Sequence, residues 1–569
     1  MLIANAGQTT NPMARIRHVK CDETKPACLK CSGTGRKCDG YAYPPAKQAQ
    51  TTPTSFVAVS IPPGNPYLDF SGSKLEHRFL TFFYRHTAPS ISDCFDFDFW
   101  TTMLPLIGQS EPTIQHAMIA VAAVHARLES ADELLDGPDK LQESKRLELR
   151  QYNKAIHHLQ TRISDNGITA EGTLICCALL ICLELLLRNI EQAALHLQGG
   201  LNILHAQNAT FEQSLSKSTD SSLITRKLRA VFNRLETQRI LWGQVPDAFQ
   251  KNETDFLLPV ISGSFSTIDE AAASLDRLLS HVLRFLYVSN RVMYTSSRST
   301  EETTNQFLKT CTELRYLLDV WSDRFERFMS RTKFQKDARF LKSATLLRIF
   351  RLTGSVWLSG SISFQATVYD SKSLEFASIV VLASSLANGP MSSVPSNPRP
   401  PSKKPFSFAF EMGVIAPLYF TIVTCRDRKV RWKALSLLST CTPRREGFWD
   451  ADILEYVARR VLAIEEAGLE AFVRSSANAH EARQTYLPPE HDRVFDVTIL
   501  HGQSWEHERG KGTSVTYVMK PIDGSDNWRL RREDIVVGLD SRYKPSGEWR
   551  FHERAESATA RSIVAFAMR

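Results

Sequence analysis

The sequence has little cysteine, 11 of its 569 residues. Small secreted domains that depend on disulfides carry cysteine at several times this density, and an odd number of cysteines cannot all pair within one chain. The low content excludes a disulfide scaffold as the basis of the fold. It favours reduced thiols in a cytosolic or nuclear compartment.

Long hydrophobic runs are also missing. The longest, 174–187, has 14 residues and contains Glu184, whereas a membrane-spanning helix needs about 20 apolar residues with few charges. The first ten residues contain neither the basic nor the apolar region of a signal peptide. We therefore expect no secretion and no membrane partner, and we interpret 174–187 as a helix buried in a core.

The motifs of common enzyme classes are absent: there is no G-x-S-x-G, no H-E-x-x-H, no phosphate-binding loop with lysine and no G-x-G-x-x-G after a strand. Single histidines on apolar helical stripes are usually structural, and thiols inside an apolar helix are usually inert. The residues that we predict to be packing groups on these grounds are His125, His157, His158, His196, Cys176, Cys177 and Cys182. We predict that the protein is not an enzyme.

The composition is that of a globular chain with one basic end. Charged residues make up 23% and hydrophobic residues 43%, which excludes wholesale disorder. Residues 15–40 contain seven basic and three acidic residues, so this segment carries half of the net charge of +8. It has few large apolar residues, and a module this small needs a metal, disulfides or a partner in order to fold.

Four cysteines in this basic segment have the spacing of a metal site. Cys21, Cys28, Cys31 and Cys38 form C-x6-C-x2-C-x6-C, with proline and glycine at the intervening turns. In a reducing compartment, closely spaced thiolates are ligands for zinc, and a structural zinc supplies folding free energy that a small core cannot. We predict that these four cysteines bind zinc.

The segment resembles the DNA-binding module of fungal zinc binuclear cluster transcription factors. The resemblance rests on the last four of the family's six cysteines, on the basic run R-x-R-H-V-K-C-D that begins at Arg15, on the loop Lys25-Pro26 and on the closing C-x-G-Y. It implies two zinc ions, with Cys28 as a bridge between them, Cys21 on one ion, and Cys31 and Cys38 on the other. The family's first two cysteines would fall at Asn11 and Ala14, which cannot be thiolate ligands.

Three explanations for the missing pair stay open. In the first, the authentic transcript differs before Arg15 and encodes a C-x2-C pair there, which restores two zinc ions. In the second, the module is degenerate and no longer binds DNA by itself. In the third, the four cysteines hold a single zinc, with His18 as a spare ligand. As the sequence stands, 1–14 is an atypical leader and the expected zinc count is one or none.

The resemblance also implies roles for the basic side chains. The family presents the start of a short helix to the major groove, where arginine or lysine reads guanine. The residues expected to contact base edges and phosphates there are Arg15, Arg17, His18 and Lys20. Those expected to contact phosphates are Lys25, Lys30, Arg36 and Lys37. The implied partner is double-stranded DNA with CGG-type promoter elements, and the same basic cluster is typical of a nuclear import signal.

Helical periodicity dominates after a linker rich in proline and threonine, and the predicted fold class is mainly α. The β-branched alternation at 494–499 and 514–519 predicts a hairpin, and no strand is expected among the helices. The periodic stretches include 223–241, 271–288, 307–321, 339–358, 374–386, 410–423 and 451–472, and a surface loop is expected at 391–405. The predicted domains are a leader (1–14), a partial zinc cluster domain (15–45), a linker (46–70), an all-α domain (71–485), a β-hairpin extension (486–520) and an uncertain tail (521–569).

The helical region is similar to the regulatory domain of the same family. The segments that carry this similarity are LEHRFLTFFYRHTAPSISDCFDFDFW, SEPTIQHAMIAVAAVHA, YNKAIHHLQTRIS and ALHLQGGLNIL. The resemblance implies a nuclear, sequence-specific transcription factor that regulates RNA polymerase II transcription of a metabolic or secondary-metabolite gene cluster, together with the transcription machinery or co-regulators. The alternative is a helical co-regulator whose degenerate zinc module does not bind DNA.

Overall fold

In the computed structural model, the first helix of the described residues begins at Lys74. The residues that the structure describes are 72–92, 94–129, 138–165, 167–213, 223–243, 258–261, 263–295, 301–332, 337–363, 365–387, 406–476, 478–501, 512–522, 527–536 and 554–559. The predicted leader, zinc module and linker, and the loop predicted at 391–405, lie outside the described residues.

The first helices form an α-helical array around one fully buried member. In chain order they are α1 (Lys74–Phe82), a π-helical segment (Phe83–Thr87), α2 (Ala88–Ile91), a second π-helical segment (Phe99–Met103), α3 (Leu104–Ser110), α4 (Pro112–Glu129), α5 (Pro138–Ser164), α6 (Ala170–Leu186), α7 (Ile190–Gln213) and α8 (Leu223–Leu241). Helix α6 is buried at every position from Gly172 to Leu186, because α4, α7 and α8 pack around it. The prediction of a buried core helix at 174–187 is confirmed.

A second group of elements follows along the chain, and most of its helices share another core. Its elements are α9 (Ile268–Thr295), α10 (Glu301–Arg331), α11 (Ala338–Gly360), a 3-10 helix (Ala366–Lys372), α12 (Ser373–Ala387), β1 (Ser407–Ala409), α13 (Ile415–Thr424), α14 (Arg428–Cys441), β2 (Arg444–Glu446), β3 (Trp449–Asp450), α15 (Ala451–Glu465), α16 (Leu469–Ser475) and α17 (Ala479–Thr485). Trp321 lies at the centre of this core and donates its indole N–H to the carbonyl of Ala271 at 3.1 Å. Of the helices within the described ranges, none combines the length and the hydropathy that a bilayer crossing requires.

Periodicity predicts several helices accurately and misplaces others. The stretches 223–241, 339–358 and 374–386 match α8, α11 and α12 to within two residues. The stretch 451–472 is two helices, because the chain turns at Gly468, where an added Cβ would lie 2.7 Å from the hydroxyl of Tyr486. Helix α14 is not among the predicted periodic stretches.

A small sheet within the helical region corrects the expectation that no strand occurs there. Strand β2 pairs in parallel with β1 and antiparallel with β3. These strands have two or three residues each, which is too short for alternation to register in a sequence pattern. The sheet fixes the start of α13, because the carboxylate of Glu446 in β2 accepts the backbone N–H groups of Gly413 and Ile415 at 3.0 and 2.9 Å.

The predicted hairpin is confirmed and belongs to a larger antiparallel sheet. A second 3-10 helix (Glu490–Asp492) leads into β4 (Val494–His501), β5 (Gly512–Met519), β6 (Asn527–Val536) and β7 (Arg554–Thr559), which pair in sequence order. The last two strands lie where the sequence pattern is too weak for a prediction. Val515 and Tyr517 of β5 pack on α15, and Arg460 of α15 pairs with the buried carboxylate of Glu533 in β6.

Two adjacent glycines in α7 provide a test of this packing. At Gly200 an added Cβ would overlap the ring of the fully buried Phe232, whereas at Gly199 it would meet nothing within 4 Å. We expect Gly200→Ala to lower the free energy of unfolding by about 1–3 kcal/mol through overpacking. Gly199→Ala is the matched control and should raise it by up to about 1 kcal/mol, because alanine is the better helix former. Denaturant unfolding checks both values, and equal effects would contradict the α7–α8 packing.

Candidate nucleic-acid interface and the domain interior

The site residues predicted from the sequence all lie outside the described residues. They are the four cysteines Cys21, Cys28, Cys31 and Cys38 and the eight basic side chains between Arg15 and Lys37. Their roles therefore stay predictions. The described residues show which other polar groups the fold brings together.

The thiols of the helical region are packing groups. Cys176, Cys177 and Cys182 of α6 are all buried, and burial raises the pKa of Cys177 to about 11 and that of the other two further. A thiol with a raised pKa stays protonated at neutral pH, so it is a poor nucleophile and a poor metal ligand. Within the described ranges, no group of three or more His, Cys, Asp or Glu side chains could hold a metal ion.

Of the four histidines predicted to be structural, His125 is buried in the core, and His157, His158 and His196 are more exposed to solvent. His125 is 1% exposed and contacts Thr87 Oγ1 through Nδ1 at 3.1 Å. Burial, with a smaller contribution from His86, lowers its pKa to about 4, so it is neutral at physiological pH. The predicted packing role is confirmed for His125. His157 lies on the exposed face of α5, beside the apolar stripe of that helix.

A chain of polar contacts joins the starts of α1 and α4 to the middle of α5. The carboxylate of Glu76 accepts the backbone N–H of Ser73 at 2.7 Å and the side-chain N–H of the fully buried Gln151. Gln151 Oε1 contacts His116 Nδ1 at 2.6 Å, and Lys154 Nζ lies 3.5 Å from Glu76 Oε1. These contacts fix the first turn of α1 against α5. We call them the Glu76 relay.

A largely buried ionic cluster lies between the two halves of the helical array. Its centre is Arg234 of α8, which donates to Asp96, and whose Nη atoms lie 2.8 Å from Glu411 Oε1 and 3.4 Å from Asp276 Oδ2. Lys227 Nζ lies 2.9 Å from Asp96 Oδ1. The cluster thus connects α8, α9, the segment before the second π-helical turn and the segment after β1. We call it the Arg234 cluster.

Three buried carboxyl groups, those of Asp96, Asp276 and Glu411, surround Arg234 and Lys227 in the Arg234 cluster, and Lys227 Nζ also lies 2.5 Å from the exposed carboxylate of Asp269. Burial raises the pKa of Glu411 to about 8 against the opposing effect of Arg234, and it raises that of Asp276 to about 6. For Asp96 the effect of burial is outweighed by Arg234 and Lys227, and its pKa is lowered. Glu411 Oε1 accepts no hydrogen bond of good geometry among the described residues. Glu411 is therefore the carboxyl group of the cluster that we expect to hold a proton near neutral pH.

Sequence patterns do not reveal this cluster. Arg234, Asp276 and Lys227 stand at helical positions that a solvated face would also fill, and Asp96 lies in an irregular segment. The one useful signal is local: Asp96 is surrounded by large aromatic residues in the sequence CFDFDFW, and a charge in such surroundings needs a partner when it is buried.

Two families match the sequence. The family described as Fungal specific transcription factor domain matches residues 78–391, more than half of the 569 residues. The family described as Fungal Zn(2)-Cys(6) binuclear cluster domain matches residues 15–48. The second match includes all four predicted zinc ligands.

The individual proteins that the chain resembles are also transcription regulators. The chain is similar to the "Aspercryptin biosynthesis cluster-specific transcription regulator atnN" of Emericella nidulans, with 25% identity over 89% of this chain and 93% of the relative. It is also similar to the "Transcription regulator lscL" of Purpureocillium lilacinum, with 28% identity over 34% of this chain and 48% of the relative. The "Transcriptional regulatory protein moc3" of Schizosaccharomyces pombe is 63% identical over 5% of each chain. No solved structure matches the chain.

Proposed function

From the premise that this chain belongs to the fungal transcription factors, we propose how it binds zinc and DNA and which genes it controls. Its family domain occupies 78–391, and a zinc cluster domain precedes it at 15–48. The chain is a transcription regulator. The observation that carries the proposal is the presence of both domains in one chain, in the order that a DNA-binding module followed by a regulatory domain requires.

We propose that Cys21, Cys28, Cys31 and Cys38 are the zinc ligands. Two zinc ions in the family's arrangement need six thiolates, and residues 1–48 contain four cysteines, which match one tetrahedral zinc. When bound, zinc holds the thiolates together and supplies the folding free energy of a module with little core. Two zinc ions per chain require a further cysteine pair.

The basic side chains of the module contact the duplex. Arg15, Arg17, His18 and Lys20 contact base edges and phosphates of a CGG-type element, because arginine and lysine donate to guanine O6 and N7 in the major groove. The remaining cations, Lys25, Lys30, Arg36 and Lys37, contact phosphates. These contacts release counterions, so DNA affinity falls steeply as salt rises.

We propose that the protein acts in the nucleus on a secondary-metabolite gene cluster. The relative from Emericella nidulans matches over most of both chains, and its name describes a cluster-specific regulator of a biosynthesis. The helical domain would contact the transcription machinery or co-regulators. That the protein is not an enzyme stays a prediction, supported by its family.

Removal of the gene tests the proposed target. We expect transcripts of one contiguous group of biosynthetic genes to change by about tenfold or more, measured by transcript sequencing in the organism of origin. Scattered changes without a contiguous group would contradict regulation of a cluster.

The four-cysteine count also favours a second candidate, the co-regulator that does not bind DNA. A strain that carries Cys28→Ser in the chromosomal gene separates the two. If the transcripts respond as they do to removal of the gene, the zinc module is required; if they stay at the wild-type level, the helical domain acts through partners.

A further inference from the structure

A basic cleft lies at the start of the helical domain. It has a volume of about 710 Å³ and is formed by the first turn of α1 and the outward face of α5. The residues that line it are Ser73, Lys74, Leu75, Gln142, Glu143, Arg146, Leu147 and Arg150. The lining contains three cations and one carboxylate, so the cleft is suited to an anionic ligand.

The three cations are available to a ligand. Lys74, Arg146 and Arg150 are exposed, and none of them forms an ion pair with a carboxylate among the described residues. By contrast Lys154, one turn further along α5, is paired with Glu76. The charge at the mouth of the cleft is therefore not neutralised by a carboxylate of the described residues.

The walls of the cleft are fixed relative to each other. The Glu76 relay attaches the first turn of α1 to α5 through the buried Gln151, which follows Arg150 directly. Lys74 on one wall is thereby held at a set separation from Arg146 and Arg150 on the other. This rigid separation lowers the ordering cost when an anion binds between them.

We propose that this cleft binds the phosphate backbone of DNA that flanks the element recognised by the zinc module. The inference rests on the proposed function, because it requires a DNA-bound chain. Arginine and lysine side chains are the commonest partners of phosphate oxygens, and three of them line this cleft. Among the described residues that line the cleft there is no aromatic side chain for stacking, which a nucleotide effector would need for specificity.

The chain length permits this contact. Residues 46–72 join the module to the cleft, and 27 residues span at most about 90 Å when fully extended. One turn of duplex is about 34 Å long, so flanking phosphates up to two turns from the element are within reach.

The test compares two duplexes and two triple variants of the full chain, loaded with zinc. One duplex is about one helical turn long and holds a single CGG element. The other holds the same element within flanking DNA, so that the whole duplex is about four turns long. The test variant is Lys74→Gln, Arg146→Gln and Arg150→Gln. The control is Lys309→Gln, Arg327→Gln and Arg331→Gln, which removes three exposed cations of α10 without an ion pair among the described residues.

We expect the test variant to bind the long duplex about tenfold more weakly than wild type. The slope of log affinity against log salt concentration should be shallower by about 2–3, because each phosphate contact contributes about 0.9 to its magnitude. Its affinity for the short duplex should stay within about twofold of the wild-type value, and the control should match wild type on both. Equal losses on both duplexes, no loss on either, or the same loss in the control would overturn the inference. Wild-type protein that binds neither duplex would overturn the proposed function itself. This failure is distinct from a failure of the inference about the cleft, which shows only in the comparison of variants with a wild type that does bind.

Discussion

Replacing Cys28 with serine should abolish specific DNA binding by the full-length protein. Cys28 is the second of the four predicted zinc ligands, and serine removes a thiolate that the predicted zinc site cannot replace. A structural zinc in a small module contributes roughly 10–16 kcal/mol to folding, so loss of a ligand leaves the basic side chains without a fixed arrangement. We expect affinity for a CGG duplex to fall about 10³-fold or more, to the non-specific level.

Cys441→Ser is the matched control for this experiment. Cys441 ends α14 and is only partly buried, so the substitution removes one thiol without touching the predicted zinc ligands. We expect its DNA affinity and zinc content to equal those of wild type. The measurement is fluorescence anisotropy with metal analysis of the same samples; Cys28→Ser protein that keeps both zinc and wild-type affinity would show that the cysteines are not ligands.

The second large effect concerns the Arg234 cluster. Arg234→Met removes the cation that faces Asp96, Asp276 and Glu411, and it leaves buried carboxyl groups with Lys227 as their remaining cation. Loss of one partner of a buried ion pair costs about 3–5 kcal/mol. We expect the free energy of unfolding of the full chain at pH 8 to fall by about this amount, measured by denaturant titration. Arg483→Met breaks the exposed pair with Glu470 and should cost less than about 1 kcal/mol.

The deficit of Arg234→Met should shrink as the pH falls from 8 to 6. In the wild-type protein the pKa of Glu411 is raised to about 8 and that of Asp276 to about 6, above the values of an unfolded chain. A raised carboxyl pKa means that the folded state binds more protons, so this contribution to stability is present at low pH and is lost as the pH rises through the folded pKa. Without Arg234 the carboxyl groups depend still more on protonation.

Glu411→Gln isolates this effect. Glutamine is neutral at every pH and keeps a carbonyl oxygen that can accept the backbone N–H of Phe95, which Glu411 accepts at 3.2 Å. We expect the variant to fold and to lose the decrease in stability between pH 6.5 and pH 8 that the wild type shows. The range avoids the opposing titration of His125, whose lowered pKa of about 4 affects stability below pH 6.5. An unchanged pH profile in Glu411→Gln would place the proton elsewhere.

The parts of the fold that periodicity predicts are those in which one face of an element is apolar over several turns. Helices α8, α11 and α12 satisfy this condition, and the buried α6 is apolar on nearly every side. The short strands β1 to β3 and the strand β7 do not, because two to six residues give too few repeats. Their positions depend on partners far away in sequence.

The polar interior could not be predicted for a different reason. Arg234 contacts groups that are 42 to 177 positions away in the sequence, such as Asp276 and Glu411. A single charge on a helix has the same local pattern whether it faces water or a buried carboxylate. Conversely, the cysteine spacing of 21–38 is a local signal, and it indicates the family without any knowledge of distant contacts.

Zinc-dependent binding of a CGG duplex across a salt series tests the central claim most directly. The full-length protein, supplied with zinc, should bind a one-turn duplex with an affinity that falls steeply between about 50 and 200 mM salt. The slope of log affinity against log salt should lie between about −4.5 and −6.3 if about five to seven cations contact phosphates. Chelation should remove this binding, and added zinc should restore it. Binding that persists unchanged after chelation, or no binding at about 50 mM salt with zinc present, would contradict a thiolate-held module that contacts DNA.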